Sequence, residues 1–397
     1  MVLDFRKYRK WDIGVDLNRS KSLYIRYLVG FYLKNGIVLP VGPNEARDVR
    51  ITARCLQTIK ENQNSENPIT VDAEDCGAAY RFLLSVLAIT KGKWFLTGTS
   101  RMTERPIDPL IDSLVTSGAD ITKMEKGIFI HGKELKGGDI SVDCSQSSQF
   151  ASSLLLMAPY SGISNIRCIP TVSNSLPYIQ MTEKVIREIE QWDECRIFPV
   201  NEIERDWSSA LFWYAVTALR PESRCTMAGL VLPSSQGDSC IARWFTELGV
   251  ETRICKDGIT ISGHGNDIGD SRRILAFNVE SHPDTVPVMA CLSVLLNREL
   301  ILTGTANLNY KESRRLDILA KELSRFAKVY KKENDSLLHI IPEGRAVNRD
   351  LSFSTYGDHR FVMAFTLFSL CNNITIDSLE PVKKSYPLFM NDLGKIG

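Results

Sequence analysis

The chain has 397 residues, enough for two or three domains with a sizeable core. Apolar residues make up 44% and charged residues 24%, and 48 Lys and Arg against 47 Asp and Glu leave a net charge of +1. That balance excludes a broad basic surface for nucleic acid, and the longest apolar runs, near Ala210–Leu219 and Phe361–Leu370, fall short of the ~20 residues of a spanning helix.

The N-terminus lacks the apolar core of a secretory signal, so a cytoplasmic protein is expected. Ten cysteines are scattered without a C-x-x-C pair, and five histidines lie far apart. Reduced, mostly buried thiols are expected, with no metal centre.

Six times along the chain, polar or small residues run into an apolar helical stretch. In order these are SKSLYIRYLVGFYL from Ser20, DCGAAYRFLLSVLAI from Asp75, SSQFASSLLLMA from Ser147, DWSSALFWYAVTAL from Asp206, HPDTVPVMACLSVLL from His282 and GDHRFVMAFTLFSL from Gly357. Ser and Asp favour helix N-caps because their oxygens accept from orphan backbone N–H groups. Apolar residues cover most of each helix surface, which predicts helices buried nearly all round.

A second repeat is Leu96-Thr97-Gly98-Thr99, found again as Leu302-Thr303-Gly304-Thr305. Each copy follows a strand-like run and precedes an amphipathic stretch, from Glu104 and from Glu312. An internal duplication is predicted, with two similar halves of three units each. Between the helices, GIFIHGKELKGGDISVDC and TRICKDGITISGHG read as hairpins and edge strands. The link between halves is expected near Arg220-Pro221-Glu222-Ser223.

Helix N-termini attract anions through free N–H groups and the helix dipole. A single terminus is ordinarily only capped. Here cations recur beside the termini: Lys21, Arg26, Arg81, Arg101, Arg105, Lys311, Arg314, Arg315, Arg360, Lys383 and Lys384. Repeated Arg and Lys at such places point to phosphate and carboxylate ligands.

These residues carry a resemblance. Ser20-Lys21-Ser22 with Arg26, Gly77 with Arg81, Arg101-Met102-Thr103-Glu104-Arg105-Pro106-Ile107 and Ser147-Ser148-Gln149-Phe150 resemble motifs of the 3-phosphoshikimate 1-carboxyvinyltransferase (EPSP synthase) family. So do Ser175 with Pro177-Tyr178-Ile179, Pro283-Asp284, Lys311-Glu312 with Arg315, Tyr356 with Asp358-His359-Arg360, and Lys384 with Pro387. The matches fall in family order and span almost the whole chain.

The resemblance implies an α/β fold of two similar domains, each of three repeated helix-plus-sheet units with buried helices and outer sheets, an inside-out α/β barrel. Residues 20–222 would form one domain, residues 1–19 plus 223–397 the other, and the active site would lie in the interdomain cleft. The implied reaction transfers the enolpyruvyl group of phosphoenolpyruvate to the 5-hydroxyl of shikimate 3-phosphate. It needs no metal or organic cofactor; separately, no nucleic-acid or membrane partner and a monomer are expected.

By matched position, the resemblance makes Lys21, Asp284 and Glu312 the catalytic residues. Lys21 would contact phosphoenolpyruvate, Asp284 would serve as base at the ring hydroxyls, and Glu312 would stand near the methylene carbon. The shikimate 3-phosphate set would be Ser22, Arg26, Ser147, Ser148, Gln149, Ser175, Tyr178, Asp284 and Lys311. The phosphoenolpyruvate set would be Lys21, Gly77, Arg105, Gln149, Arg315, Arg360 and Lys384. Simpler readings exist for three of these: a helix cap for Asp284, an i,i+3 pair with Arg315 for Glu312, and strand packing for Tyr178.

Departures from the family pattern are Asn18-Arg19, Asp75-Cys76, Leu176 and Asn309. Asp75 would repel phosphoenolpyruvate unless a cation such as Arg105 offsets it. Two other readings stay open: a non-catalytic paralogue binding an anionic metabolite, and the sister enolpyruvyl transferase acting on a UDP-sugar. Against the latter, Ser100–Arg105 lacks the Cys or Asp of that enzyme's loop.

Overall fold

Four of the six expected helices begin where a side chain caps the first turn. In the computed structural model, Ser20 Oγ accepts from the Leu23 N–H at 3.4 Å and Cys76 Sγ from the Ala79 N–H at 3.4 Å. Asp206 and Asp358 do the same for Ser209 at 2.8 Å and Arg360 at 2.9 Å. Each cap satisfies one donor that the helix itself leaves unpaired. The structure describes residues 1–8, 10–63, 65–169, 176–193, 195–264, 274–344 and 346–396.

The chain divides into two compact units, Met1–Asn18 with Glu204–Gly397 and Arg19–Ile203. The first unit opens with β1 (Val2–Leu3) and β2 (Asp12–Val15). The second unit holds α1 (Lys21–Asn35), α2 (Arg47–Asn62), β3 (Ile69–Asp72), α3 (Gly77–Ile89), β4 (Gly92–Thr97), α4 (Ser100–Glu104), α5 (Asp108–Thr116), β5 (Asp120–Met124), β6 (Gly127–Gly132), β7 (Gly138–Asp143), α6 (Gln149–Met157), β8 (Ile163–Ile169) and α7 (Leu176–Glu190). The first unit resumes with α8 (Trp207–Leu219), β9 (Arg224–Ala228), α9 (Ile241–Trp244), β10 (Val250–Cys255), β11 (Gly258–Gly263), β12 (Leu275–Asn278) and α10 (Val286–Leu296). It ends with β13 (Leu300–Thr303), α11 (Arg315–Leu323), β14 (Ala327–Lys331), β15 (Leu337–Pro342), β16 (Asp350–Phe353), α12 (His359–Thr366), β17 (Asn373–Ile376) and α13 (Phe389–Leu393).

The return crossing therefore falls at Ile203/Glu204, not after residue 222. The reason is packing. Helix α8 buries Trp207, Phe212 and Trp213 in the core of the first unit, and Trp213 Nε1 donates to the Tyr386 hydroxyl at 3.1 Å. The polar Arg220–Ser223 segment is only the turn between α8 and β9.

The duplication is visible in the sheets. One sheet runs β3-β4-β6-β5 and another β12-β13-β15-β14, with the same order and the same strand senses. Ala73 N–H donates to Thr97 O at 2.9 Å, and Val279 N–H to Thr303 O at 2.9 Å. Glycine follows both threonines because a Cβ there would stand 2.5 Å from Glu74 O in one copy and 2.5 Å from Glu280 Cβ in the other. The first unit carries two further sheets, β10-β11-β9-β2 and β1-β17-β16, and the second unit the pair β7-β8. Helices α3, α8 and α10 are buried on nearly every side, as their all-round apolar pattern predicts.

TRICKDGITISGHG forms the expected hairpin, β10 against β11, with Cys255 opposite Gly258. GIFIHGKELKGGDISVDC does not close on itself. Strand β6 pairs with β5, whereas β7 pairs in parallel with β8. Gly137 and Gly138, at φ +70° and +88°, redirect the chain between the two sheets. Among the described residues no helix is long and apolar enough to cross a membrane, and no group of three or more His, Cys, Asp or Glu is placed to hold a metal ion.

Candidate functional site

In the second unit, Arg26 lies one turn into α1 with 3% of its surface exposed. Its Nε donates to Thr182 Oγ1 at 2.7 Å, Nη1 to Ser22 O at 2.8 Å and Nη2 to Ser152 Oγ at 3.1 Å. All three acceptors are neutral. Burial pushes its pKa down to about 10, still far above neutral pH, so the guanidinium remains charged. A buried cation held only by neutral groups is costly, and an anionic ligand there would offset that cost. The Tyr178 ring lies 5.9 Å from the guanidinium carbon, which brings Tyr178 to the same place.

The N-terminus of α3 carries the next cations. Arg81 Nη1 donates to Gln149 Oε1 at 2.8 Å, and Nη2 to Pro106 O at 3.0 Å. Arg105 is buried beside them. Gly77 makes this possible: a Cβ there would stand 2.6 Å from Arg105 Nη1 and 3.0 Å from Arg81 Nη1. Ser147 Oγ accepts from the Gln149 N–H at 3.3 Å, and Ser148 precedes the first turn of α6. Lys21 Nζ pairs with Asp48 at 3.0 Å. Ser22 contributes its carbonyl to Arg26. Ser175 lies outside the described residues.

The first unit gathers acids around arginines. Arg315, at 1% exposure, reaches Asp284 Oδ1 at 2.7 Å, Glu312 Oε2 at 2.9 Å and Asp358 Oδ2 at 2.8 Å. Arg360 Nη2 holds the other Asp284 oxygen at 2.9 Å. Burial opposes ionisation of Asp284, but Arg360, Arg315 and Lys311 outweigh it and hold its pKa well below the usual carboxylate range. The simple cap reading of Asp284 gives way here, because its oxygens face two guanidinium groups. The Glu312–Arg315 pair exists, but as one arm of this network. Asp358 both caps α12 and accepts from Ser313 Oγ at 2.9 Å. Lys384 is buried in a short turn at Glu380–Lys384.

Several residues of these clusters have no counterpart among the sequence candidates. Asp48 positions Lys21, and Ser152 and Thr182 position Arg26. Arg47 Nη2 stands 3.0 Å from Asp75 Oδ1 and 3.0 Å from Glu74 Oε2. Asp75 thus has a cation beside it from α2, a partner that spacing along the chain does not reveal. Asn309 caps α11 from outside: its Oδ1 accepts from the Leu316 N–H at 3.1 Å, and its Nδ2 donates to Asp335 at 2.9 Å. That accounts for an asparagine at this position. Leu176 starts α7 and is exposed.

The family model of EPSP synthase (3-phosphoshikimate 1-carboxyvinyltransferase) matches residues 44–393. The chain belongs to the EPSP synthase family.

A 3-phosphoshikimate 1-carboxyvinyltransferase of Bacteroides fragilis is 30% identical over 96% of this chain and 95% of its own length. One of Methanoregula boonei is 30% identical over 97% of each. Among solved structures, an EPSP synthase of Acinetobacter baumannii aligns at TM-score 0.69 and 18% identity, covering 100% of this chain and 97% of its own. The enolpyruvyl transferase NikO of Streptomyces tendae aligns at 0.67 and 13%, covering 100% and 97%. At such identities the structural likeness speaks for the fold alone, an enolpyruvyl transferase α/β fold.

Proposed function

We propose that this chain transfers the enolpyruvyl group of phosphoenolpyruvate to the 5-hydroxyl of shikimate 3-phosphate, releasing phosphate and 5-enolpyruvylshikimate 3-phosphate in the shikimate pathway. The observation that carries the reading is Arg26: a buried cation held by neutral groups, with Ser152 and Thr182 around it, in a family whose substrate is a phosphate ester.

The reaction asks for cations on phosphates and carboxylates, an acid at the methylene carbon and a base at the hydroxyl. Arg26 with Ser22, Ser147, Ser148, Gln149, Tyr178 and Lys311 would take shikimate 3-phosphate, and Ser175, outside the described residues, belongs to the same assignment. Arg105, Gly77, Gln149, Arg315, Arg360 and Lys384 would take phosphoenolpyruvate. Lys21, tethered by Asp48, would deliver a proton and steady developing charge. Asp284, ionised between two guanidinium groups, would accept a hydrogen bond from the 5-hydroxyl and take its proton as the hydroxyl oxygen bonds to the phosphate-bearing carbon of phosphoenolpyruvate. Glu312 would exchange the proton at the methylene carbon. The arginines around Asp284 and Glu312 fix both carboxylates, so little reorganisation is needed when charge moves. No cofactor enters the scheme. The same reading places the protein in the cytoplasm as a monomer.

Phosphate release by the purified protein tests this. Release is expected with both substrates together and not with either alone. No release from a folded protein with both present would overturn the assignment.

A further inference from the structure

The turn before α3 gathers charges that the proposed chemistry does not use. Asp72, Glu74 and Asp75 stand close together there, and two arginines of α2 meet them. Arg54 Nη1 lies 2.6 Å from Glu74 Oε1, and Arg54 Nη2 donates to Asp72 O at 3.0 Å. Arg47 Nη2 donates to Glu74 Oε2 and to Asp75 Oδ1, each at 3.0 Å. Glu74 thus keeps one guanidinium group if Arg47 is removed, while Arg47 is the arginine that reaches Asp75. Burial opposes the charge on Arg47, but Asp75 and Glu74 outweigh it and hold its pKa above the ordinary arginine value.

This turn is fixed in place. Glu74 adopts φ +49°, in the left-handed region. Its N–H donates to Asp72 Oδ1 at 2.8 Å, and its carbonyl accepts from the Thr99 N–H at 2.9 Å. Cys76 Sγ donates to Asp48 O at 3.8 Å, which ties the cap of α3 to the first turn of α2. Asp75 is held two residues before Gly77, at most about 7 Å along the backbone. Arg105 and Arg81 crowd Gly77, and this end of α3 is assigned to phosphoenolpyruvate. A carboxylate so close repels an anionic ligand unless a cation offsets it. We propose that Arg47 is a positioning residue for the enolpyruvyl transfer: by neutralising Asp75, it keeps the N-terminus of α3 open to phosphoenolpyruvate. The inference rests on the function proposed above.

Distance and exposure set the size of the effect. Asp75 and Arg47 are partly exposed, so the effective dielectric lies between that of a protein surface and that of water. An unbalanced charge about 8 Å from a bound anion then weakens binding about five- to tenfold. Shikimate 3-phosphate is assigned to Arg26, whose partners Ser22, Ser152 and Thr182 lie on α1, α6 and α7. None of these stands on the turn before α3, so shikimate 3-phosphate binding should change less. Removing the Asp75 charge together with Arg47 removes the repulsion, and the two changes should cancel.

The experiment compares the full-length wild type with Arg47→Gln, Asp75→Asn and the double variant. Phosphate release is followed with each substrate varied in turn, beside denaturant unfolding of the same preparations. Arg47→Gln should raise KM for phosphoenolpyruvate about five- to tenfold, with kcat and KM for shikimate 3-phosphate within about twofold of wild type. Asp75→Asn alone should leave KM for phosphoenolpyruvate no higher than wild type. The double variant should return it to within about twofold of wild type. A double variant as impaired as Arg47→Gln, or an equal rise in both KM values, overturns the proposal. So does an Arg47→Gln protein that loses stability while its KM for phosphoenolpyruvate stays at the wild-type value. A wild type that releases no phosphate overturns the functional reading instead. The four proteins are then ranked by calorimetric affinity for phosphoenolpyruvate, where the same loss and recovery support the charge balance and their absence overturns it.

Discussion

Replacing Arg26 by methionine separates an anion-binding role from a structural one. The side chain is of similar length, and the change removes a charge that only Thr182, Ser22 and Ser152 satisfy. Losing those bonds costs stability, but losing a buried charge without a carboxylate partner restores it. The balance leaves unfolding stability within about 1 kcal/mol of the wild type. Thr182 Oγ1 keeps its bonds to Tyr178 O at 2.7 Å and to Ser152 Oγ at 3.0 Å, so no hydroxyl is stranded. Binding has no such compensation. One hydrogen bond to a charged group is worth about 1.5–3 kcal/mol, which predicts shikimate 3-phosphate affinity lower by about one to two orders of magnitude. Calorimetric titration and denaturant unfolding of the same preparation measure both quantities. A variant with several kcal/mol of lost stability and unchanged affinity would refute the reasoning.

Three further outcomes follow from the geometry. Gly77→Ala should fold normally, because its new Cβ meets only the flexible ends of Arg105 and Arg81, yet raise KM for phosphoenolpyruvate more than for shikimate 3-phosphate; steady-state kinetics with each substrate varied in turn would show the opposite ordering if the assignment were wrong. Asp284→Asn should abolish turnover and lower stability by about 3–5 kcal/mol at neutral pH, since Arg315 and Arg360 lose a shared anion. A carboxyl whose folded pKa is lowered contributes stability above its unfolded pKa and loses it as pH falls, so the gap between wild type and variant should narrow below about pH 4; a gap independent of pH in chemical unfolding would contradict the electrostatic origin. Trp213→Ala should cost about 3–5 kcal/mol and unfold the first unit earlier than the second, as its burial with Tyr386 requires; limited proteolysis releasing fragments from the second unit first would place α8 wrongly.

What could be read from the chain alone was local. Ser20, Asp206 and Asp358 stand next to the helices they cap, and a cap acts within one turn, whereas at the helix read from Asp75 the structure shows Cys76 as the cap. The duplicated Leu-Thr-Gly-Thr turns were legible because each needs glycine for its own close backbone approach. The cations beside the helix starts, in family order, named the candidate residues. Tertiary structure decided the rest. Only packing shows that α8 belongs with the first unit, because buried tryptophans outweigh a polar turn that merely looks like a linker. Only proximity shows that Arg47 attends Asp75, that Asp48 holds Lys21, and that three acids share Arg315. The pairing of β7 with β8 depends on residues about twenty-five apart, a separation at which sequence periodicity carries no register. Charge and hydrogen bonding act through space over a few ångströms, and the chain records distance along itself instead.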